Sequence, residues 1–259
     1  MHSHHSKNLL DVGNRPLYAI LPSLGSAGLF SVLVLLTLFH FWLAAYLPPA
    51  EDELYYWAWS QTLQSSYFDH PPMTAYFIRL STLLFGNSLI ALRLPAIAAS
   101  LVVFIGLLVL APRGNLVWAL FFSPLALLGS VLITPDLPLV LFWLAYVVWF
   151  TWINGTLDGW NQDPVTRVYH NSPVTSLQWV IGGVLLGLGG LSKYTMLLAI
   201  PSGLVALATR TRFRAWGPGY LLHLAVAGLL VFPVLLFNWK WGFAPLKFQW
   251  QHSMSGTGF

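Results

Sequence analysis

Residues 48–72 read PPAEDELYYWAWSQTLQSSYFDHPP, a polar and aromatic stretch placed directly after an apolar run that ends near Tyr46. It holds Glu51, Asp52, Glu53 and Asp69, four of the chain's eight acidic residues, together with His70. The chain around it is oily: 57% of its 259 residues are hydrophobic, only 8% are charged, and the mean hydropathy is +0.69. A soluble domain carries roughly a quarter charged residues. A helical crossing needs about 20 apolar residues, and backbone groups in lipid must pair within their own segment. The apolar runs here are too long and too continuous for the ~10-residue alternating strands of an outer-membrane barrel. The reading is therefore an all-α fold, a polytopic bundle of transmembrane helices. The polar stretch then forms its first outer loop, at one membrane face.

Cysteine is absent, which excludes a disulfide frame and a thiolate metal site. The formal charge of +4 does not point to nucleic acid, because the basic residues are scattered among hydrophobic segments. In a membrane protein such an excess belongs to cytoplasmic loops. Residues 1–25 are read as a cytoplasmic N-terminal segment, where His2, His4 and His5 form either a metal site or a polar leader. Residues 26–259 are read as one transmembrane domain with seven spans, near 26–47, 88–111, 116–134, 137–154, 177–192, 194–209 and 218–237. The first span lacks a small-residue cleavage site and reads as retained. Met73 to Phe85 is apolar but short, and suits a juxtamembrane or re-entrant helix. This arrangement puts Arg113, Arg167 and the run Arg210, Arg212, Arg214 on the cytoplasmic side. Five acids, among them Asp52, Asp69 and Asp136, fall on the other. The linker Asn154 to Thr175 is explained by turn chemistry, and its Asn154-Gly155-Thr156 sequon carries no meaning on the cytoplasmic side. The chain reads as the front part of a longer protein.

Four segments bring candidate chemistry to the outer side. Pro48-Pro49 ends the first span, since proline cannot continue the hydrogen-bond ladder. Glu51, Asp52 and Glu53 then open a helix, where acids are favoured by the helix dipole with or without a catalytic role. Tyr55, Tyr56, Trp59 and Leu63 share a face of that helix and read equally well as interfacial anchors. Pro71-Pro72 stiffens the chain after His70 and turns it back toward the acidic helix. Asp136 stands between two hydrophobic runs, either as a helix cap or as a site acid. Lys193 has no acid near it in sequence and must reach the interface, find a partner or bind an anion. Lys240, Lys247 and His252 lie in a basic, aromatic segment suited to a lipid phosphate.

The motifs DELYYWAWSQTL, SYFDHPPMTAYFIRLSTLLFG, ALRLPA, TPDLPLVLF, GLGGLSKYT and FNWKWGFAPLKFQWQH occur in this order across residues 52–252. In order and spacing they resemble the membrane glycosyltransferases of family 39, the protein O-mannosyltransferase and lipid A aminoarabinose transferase group. The resemblance implies a multi-helix bundle whose first outer loop folds into juxtamembrane helices. It also implies transfer of a sugar from a polyprenyl-phosphate donor on the outer side of the membrane. Carried onto this sequence, it makes Asp52 the catalytic carboxylate with Glu53 beside it. His70 stands where relatives often place lysine against the donor phosphate. Asp136 matches the acid of the Thr-Pro-Asp motif, and Lys193 the basic residue after the glycine-rich run.

The residue types suit this chemistry independently. A glycosyl phosphate leaves as a weakly basic anion, so no acid need protonate it. One carboxylate suffices to take a proton from the acceptor, while cations offset charge on the departing phosphate. Glycoside hydrolysis, by contrast, uses two carboxylates. The expectation is therefore direct displacement with Asp52 as base, His70 and Lys193 as phosphate-side cations, and Glu53 and Asp136 as orienting or acceptor-side acids. No metal is required, though a divalent ion beside Asp52, Glu53 and Asp136 is compatible with the set. The partners expected are a polyprenyl-phosphate sugar, membrane lipid, and an acceptor that is a protein, lipid A or another glycan. The expected location is the bacterial inner membrane with the site facing the periplasm. A transporter or flippase, or a non-catalytic fragment, is the competing reading; a transporter predicts charges near mid-span, whereas here they gather at span ends.

Overall fold

The structure, a computed structural model, describes residues 26–110, 122–153, 174–208 and 213–255. Every regular element among them is helical. In chain order these are α1 (Ser26–Tyr46), α2 (Glu51–Gln61), α3 (Met73–Phe85), α4 (Leu89–Leu110), α5 (Pro124–Gly129), α6 (Asp136–Ile153) and α7 (Ser176–Gly190). A 3₁₀ segment (Tyr194–Leu198) follows, then α8 (Ala199–Ala208), α9 (Phe213–Lys240) and α10 (Ala244–Ser255). The histidines at positions 2, 4 and 5 and the sequon at 154–156 lie outside the described residues.

The expected spans are met in part. Three described helices are long and apolar enough to cross a membrane: Leu89–Leu108 within α4, Asp136–Ile153, and Gly217–Lys240 within α9. The pair Phe30–Tyr46 and Glu51–Gln61 passes the same test only when taken together, and bends by 86° at its break. Of the span expected at 116–134, residues 116–121 lie outside the described residues. Its described part holds only the six-residue α5, whose cap is Ser123 accepting from Ala126 N. Beyond Ser130 the chain runs non-helically to Asp136. The span expected at 177–192 is a 15-residue helix, and that at 194–209 is split between the 3₁₀ segment and α8. The expectation of a short helix at Met73–Phe85 is met, with Gly86 at φ 79° ending it.

The larger helices stand in a row, α1 against α4, α4 against α6, α6 against α7, and α7 against α9. Leu36 with Val103 and Phe104, and Ala44 with Ile97 and Val131, fill the first contact. Glycines set the closeness of the last. A Cβ on Gly183 would lie 2.6 Å from the His223 carbonyl, and one on Gly187 would lie 2.8 Å from Leu230 Cβ. One on Gly190 would lie 2.9 Å from Val231 Cγ2. Spaced at i, i+4 and i+7, these residues form a small-residue stripe that lets α9 lie almost on the α7 backbone, the usual way of packing helices where lipid removes the hydrophobic drive. Around His223 the rings of Tyr146, Trp149, Trp179 and Tyr220 close a fully aromatic core.

The packing turns every motif-bearing span end toward one end of the bundle. Met73 N donates to the Leu191 carbonyl (3.0 Å), which ties the start of α3 to the end of α7 beside Lys193. Asn238 Nδ2 donates to Tyr194 Oη (3.0 Å), tying α9 to the same corner.

Candidate active site

The site begins with a clamp that the motifs do not announce. After Pro48-Pro49 stops α1, the carbonyls of Ala44 and Leu47 have no helical partner. Arg93, at the start of α4 and fully buried, supplies one. Its Nη1 donates to Ala44 O (3.1 Å) and Leu47 O (2.7 Å), and its Nη2 to Pro48 O (2.9 Å) and Glu53 Oε2 (2.5 Å). Its Nε donates to Glu53 Oε1 (2.9 Å). All five guanidinium donors are thereby used. Glu53 is equally committed, for its oxygens also accept from Ala50 N (3.1 Å) and Ile133 N (3.3 Å). The pair holds the 86° bend between α1 and α2 and pins both to the non-helical segment before Asp136.

Of the two roles expected for Glu53, orienting or acceptor-side, this geometry suits the orienting one. Its carboxylate is buried, bidentate to an arginine and saturated with donors, so no acceptor can reach it. Its part is to fix the first turn of α2, and with it the neighbouring Asp52, which is exposed.

One residue on from Asp52's turn, Tyr56 is buried among Ile78, Leu92 and Ile133, with its ring 6.3 Å from that of His70. Burial first, and then the carboxylates of Asp52, Asp69 and Asp136, push the Tyr56 hydroxyl well above its ordinary 10. His70 senses the same charges. Burial, followed by the Lys193 ammonium, pushes its imidazole below the ordinary 6.5, while Asp69, Asp136 and Asp52 pull the other way. The lowering prevails, which favours the neutral imidazole over the cation expected for donor-phosphate binding. Its Nδ1 is buried and has no partner among the described residues.

Lys193 is not alone either. Its Nζ donates to Asp136 Oδ1 at 2.6 Å, an ion pair that remains partly open to solvent. Asp136 sits in the first turn of α6, 57 residues from its partner, which is why local sequence showed no acid near the lysine. An ammonium carries three donors, so two remain after Asp136 is served.

Asp69 is the acid that motif reading left without a role. Its Oδ2 accepts from Tyr55 Oη (2.5 Å), and burial, then this bond, raise the Tyr55 phenol to about 12. The Asp69 carbonyl accepts from Gln249 Nε2 (2.5 Å), and Phe68 meets Phe248, so α10 rests on the 62–72 loop. Lys240 and Lys247 are both exposed near this end, and form no ion pair among the described residues. The side chain of His252 lies outside the described residues. No group of three or more His, Asp or Glu side chains is arranged to hold a metal ion among the described residues.

The structure thus sets Asp52, Asp69 and Asp136 within electrostatic reach of both Tyr56 and His70, and Lys193 within reach of His70, from four segments up to 141 residues apart, counting from Asp52 to Lys193. Comparison with known proteins agrees with the motifs. The family model described as dolichyl-phosphate-mannose-protein mannosyltransferase matches residues 69–160. Lipid A galacturonosyltransferase RgtD of Rhizobium johnstonii is 31% identical over 199 residues, which cover 72% of this chain and 38% of that protein. The chain therefore spans well under half the length of this curated relative. No solved structure matches. Both matches are to glycosyltransferases, and the described helices are those of a membrane protein. Among membrane glycosyltransferases the chain is similar to family 39, the protein O-mannosyltransferase and lipid A aminoarabinose transferase group.

Proposed function

We propose that the protein transfers a sugar from a polyprenyl-phosphate donor to an acceptor at the outer, periplasmic face of a bacterial inner membrane. The observation that carries this is the convergence of an exposed carboxylate, Asp52, with the His70 imidazole and the Lys193–Asp136 pair. Asp52 takes the proton from the acceptor hydroxyl or amine. The acceptor atom bonds to the anomeric carbon as the bond from that carbon to the phosphate oxygen breaks. The polyprenyl phosphate departs as an anion, and the displacement inverts the anomeric centre. Lys193, with two donors left, and the N–H of neutral His70 bind the phosphate oxygens as charge gathers there. Asp136 holds the ammonium in place. The exposed lysines at 240 and 247 are assigned to lipid phosphates. The steps as written balance without a metal ion.

The donor's tail has a path as well. A groove of about 320 Å³ runs between α3 and α4 and is lined by Phe77, Leu80, Leu84, Val102 and Leu141, with Ser81 as its polar exception. It starts one turn along α3 from the His70-Pro-Pro corner and suits a hydrocarbon chain. The similarity to a lipid A galacturonosyltransferase makes lipid A and a uronic-acid donor the first pair to screen.

The experiment is Asp52→Asn in membranes supplied with labelled polyprenyl-phosphate sugars. Loss of a positioned base is expected to slow transfer by about 10²–10⁴-fold. Transfer at the wild-type rate refutes the assignment.

A further inference from the structure

A second cavity, of about 360 Å³, opens beside α2 and is built differently from the groove. Six of its nine lining residues are aromatic: Tyr55, Trp59, Tyr67, Phe68, Phe237 and Trp241. Its volume falls within the range of about 300–1,000 Å³ usual for small-molecule sites. The walls are stiff. Trp59 stacks on Tyr67 at 4.3 Å and 2°, and Tyr67 Oη is tied to Trp59 O (2.9 Å) and Thr62 O (3.2 Å). Tyr55 is held by Asp69, and the turn carrying Trp241 is set by Gly242 and Phe243, both near φ 60°. Yet Tyr55, Phe68 and Trp241 remain 44%, 45% and 60% exposed. At the rim, the side chains of Thr62 and Gln64 are exposed, and neither hydrogen-bonds to another described residue.

Interfacial Trp and Tyr anchors are ordinary in membrane proteins, but anchors need no concave arrangement. A hydrocarbon tail would leave the rim's hydroxyl and amide without a role. Rigid ring faces with free polar groups at the edge match a pyranose. Its axial C–H bonds carry slight positive charge toward the negative face of an aromatic ring. Its hydroxyls, equatorial around the edge, need donors and acceptors.

The cavity's place distinguishes the two sugars of a transfer reaction. Successive residues of a helix are turned about 100° apart. Tyr56 faces His70 and the phosphate-side groups, whereas Tyr55 faces the cavity. Along α2, Asp52 precedes Trp59 by ~10 Å of axial rise. In an inverting displacement the acceptor approaches from the side away from the phosphate. We infer that this cavity is a saccharide subsite for the acceptor, which makes the acceptor a glycan or glycolipid rather than a peptide. The acceptor role rests on the transfer reading above, whereas the binding of sugar rests on the cavity alone.

The test uses the full chain in nanodiscs free of glycolipid. Saturation-transfer NMR follows two uncharged disaccharides, chitobiose and maltose, with a Ser/Thr-rich peptide as control. At least one disaccharide is expected to bind saturably, and the peptide is not. Trp241→Ala, at an exposed ring, is expected to weaken binding about five- to tenfold, and Trp241→Phe to restore most of it. Saturating polyprenyl-phosphate sugar is expected to leave disaccharide binding in place. Three results overturn the inference: neither disaccharide binds, Trp241→Ala binds like wild type, or the donor displaces the disaccharide, which would give the cavity to the donor's sugar. Capture of labelled donor is measured in the same discs. Sugar binding without donor capture upholds the cavity and overturns the transfer reading; donor capture without sugar binding does the reverse.

Discussion

Glu53→Gln separates the acid that builds the site from the acid that works in it. The carboxylate of Glu53 accepts four hydrogen bonds, from Arg93 Nε, Arg93 Nη2, Ala50 N and Ile133 N. A glutamine of the same shape keeps one oxygen and two of these bonds. Its amide nitrogen then faces donors where an acceptor stood, whichever way it turns. Two charge-assisted bonds at about 1.5–3 kcal/mol each are lost, which sums to about 3–6 kcal/mol. Breaking a buried ion pair by neutralising one partner gives a similar figure, about 3–5 kcal/mol, because the other charge stays buried. Against a usual total of about 5–15 kcal/mol this is a large fraction. The assay is thermal and denaturant unfolding of the purified protein in nanodiscs, wild type beside Glu53→Gln and Asp52→Asn. Glu53→Gln is expected to unfold much earlier, while exposed Asp52→Asn keeps the wild-type midpoint. A loss below about 1 kcal/mol for Glu53→Gln would mean that the Arg93 clamp does not hold the bend between α1 and α2, and the account of how Asp52 is placed would fail.

Three further outcomes are expected. Lys193→Met is expected to weaken capture of polyprenyl phosphate about 10- to 100-fold, the worth of one charge-assisted hydrogen bond. Asp136→Asn leaves the ammonium unpaired and is expected to keep or strengthen capture; an equal loss in both variants would refute the division of roles. For His70 the folded protein holds the proton less tightly than the unfolded chain, since burial lowers its pKa below 6.5. Stability therefore rises with pH between the depressed value and 6.5, and this contribution is fully present above 6.5. Midpoints measured from pH 7.5 down to 5.5 are expected to fall less steeply in His70→Gln than in wild type, and identical slopes would refute the assignment. Gly183→Ala forces a methyl group against the His223 carbonyl and Val226, and is expected to cost about 1–3 kcal/mol. Gly228→Ala, with open space at its Cβ, is expected to cost little. Equal midpoints for the two would refute close α7–α9 packing.

The helical class, the bend at Pro48-Pro49 and the short α3 were legible because each is a local property. Hydropathy over a window, a missing N–H and a run of 13 residues need no tertiary knowledge. Within 116–134, the path of the described residues 122–134 was not legible in this way. Composition there is apolar enough for a crossing, but Pro124, Gly129 and the path to Pro135 let Val131 and Ile133 bury against α1, α2 and α4 instead.

What the sequence determined by itself was the kind of molecule and the inventory of groups at one face: an all-helical membrane chain, with Asp52, His70, Asp136 and Lys193 at its span ends. What only the tertiary structure decided was how those groups are paired and charged. Arg93 lies 40 residues from Glu53, and Asp136 lies 57 from Lys193, so no window along the chain joins them. Burial shifts His70 toward its neutral form, and its neighbours in sequence do not specify that burial. Local patterns record the free energy of placing a segment in lipid. Ionisation and pairing depend on distances across the bundle, and these exist only once the helices have packed.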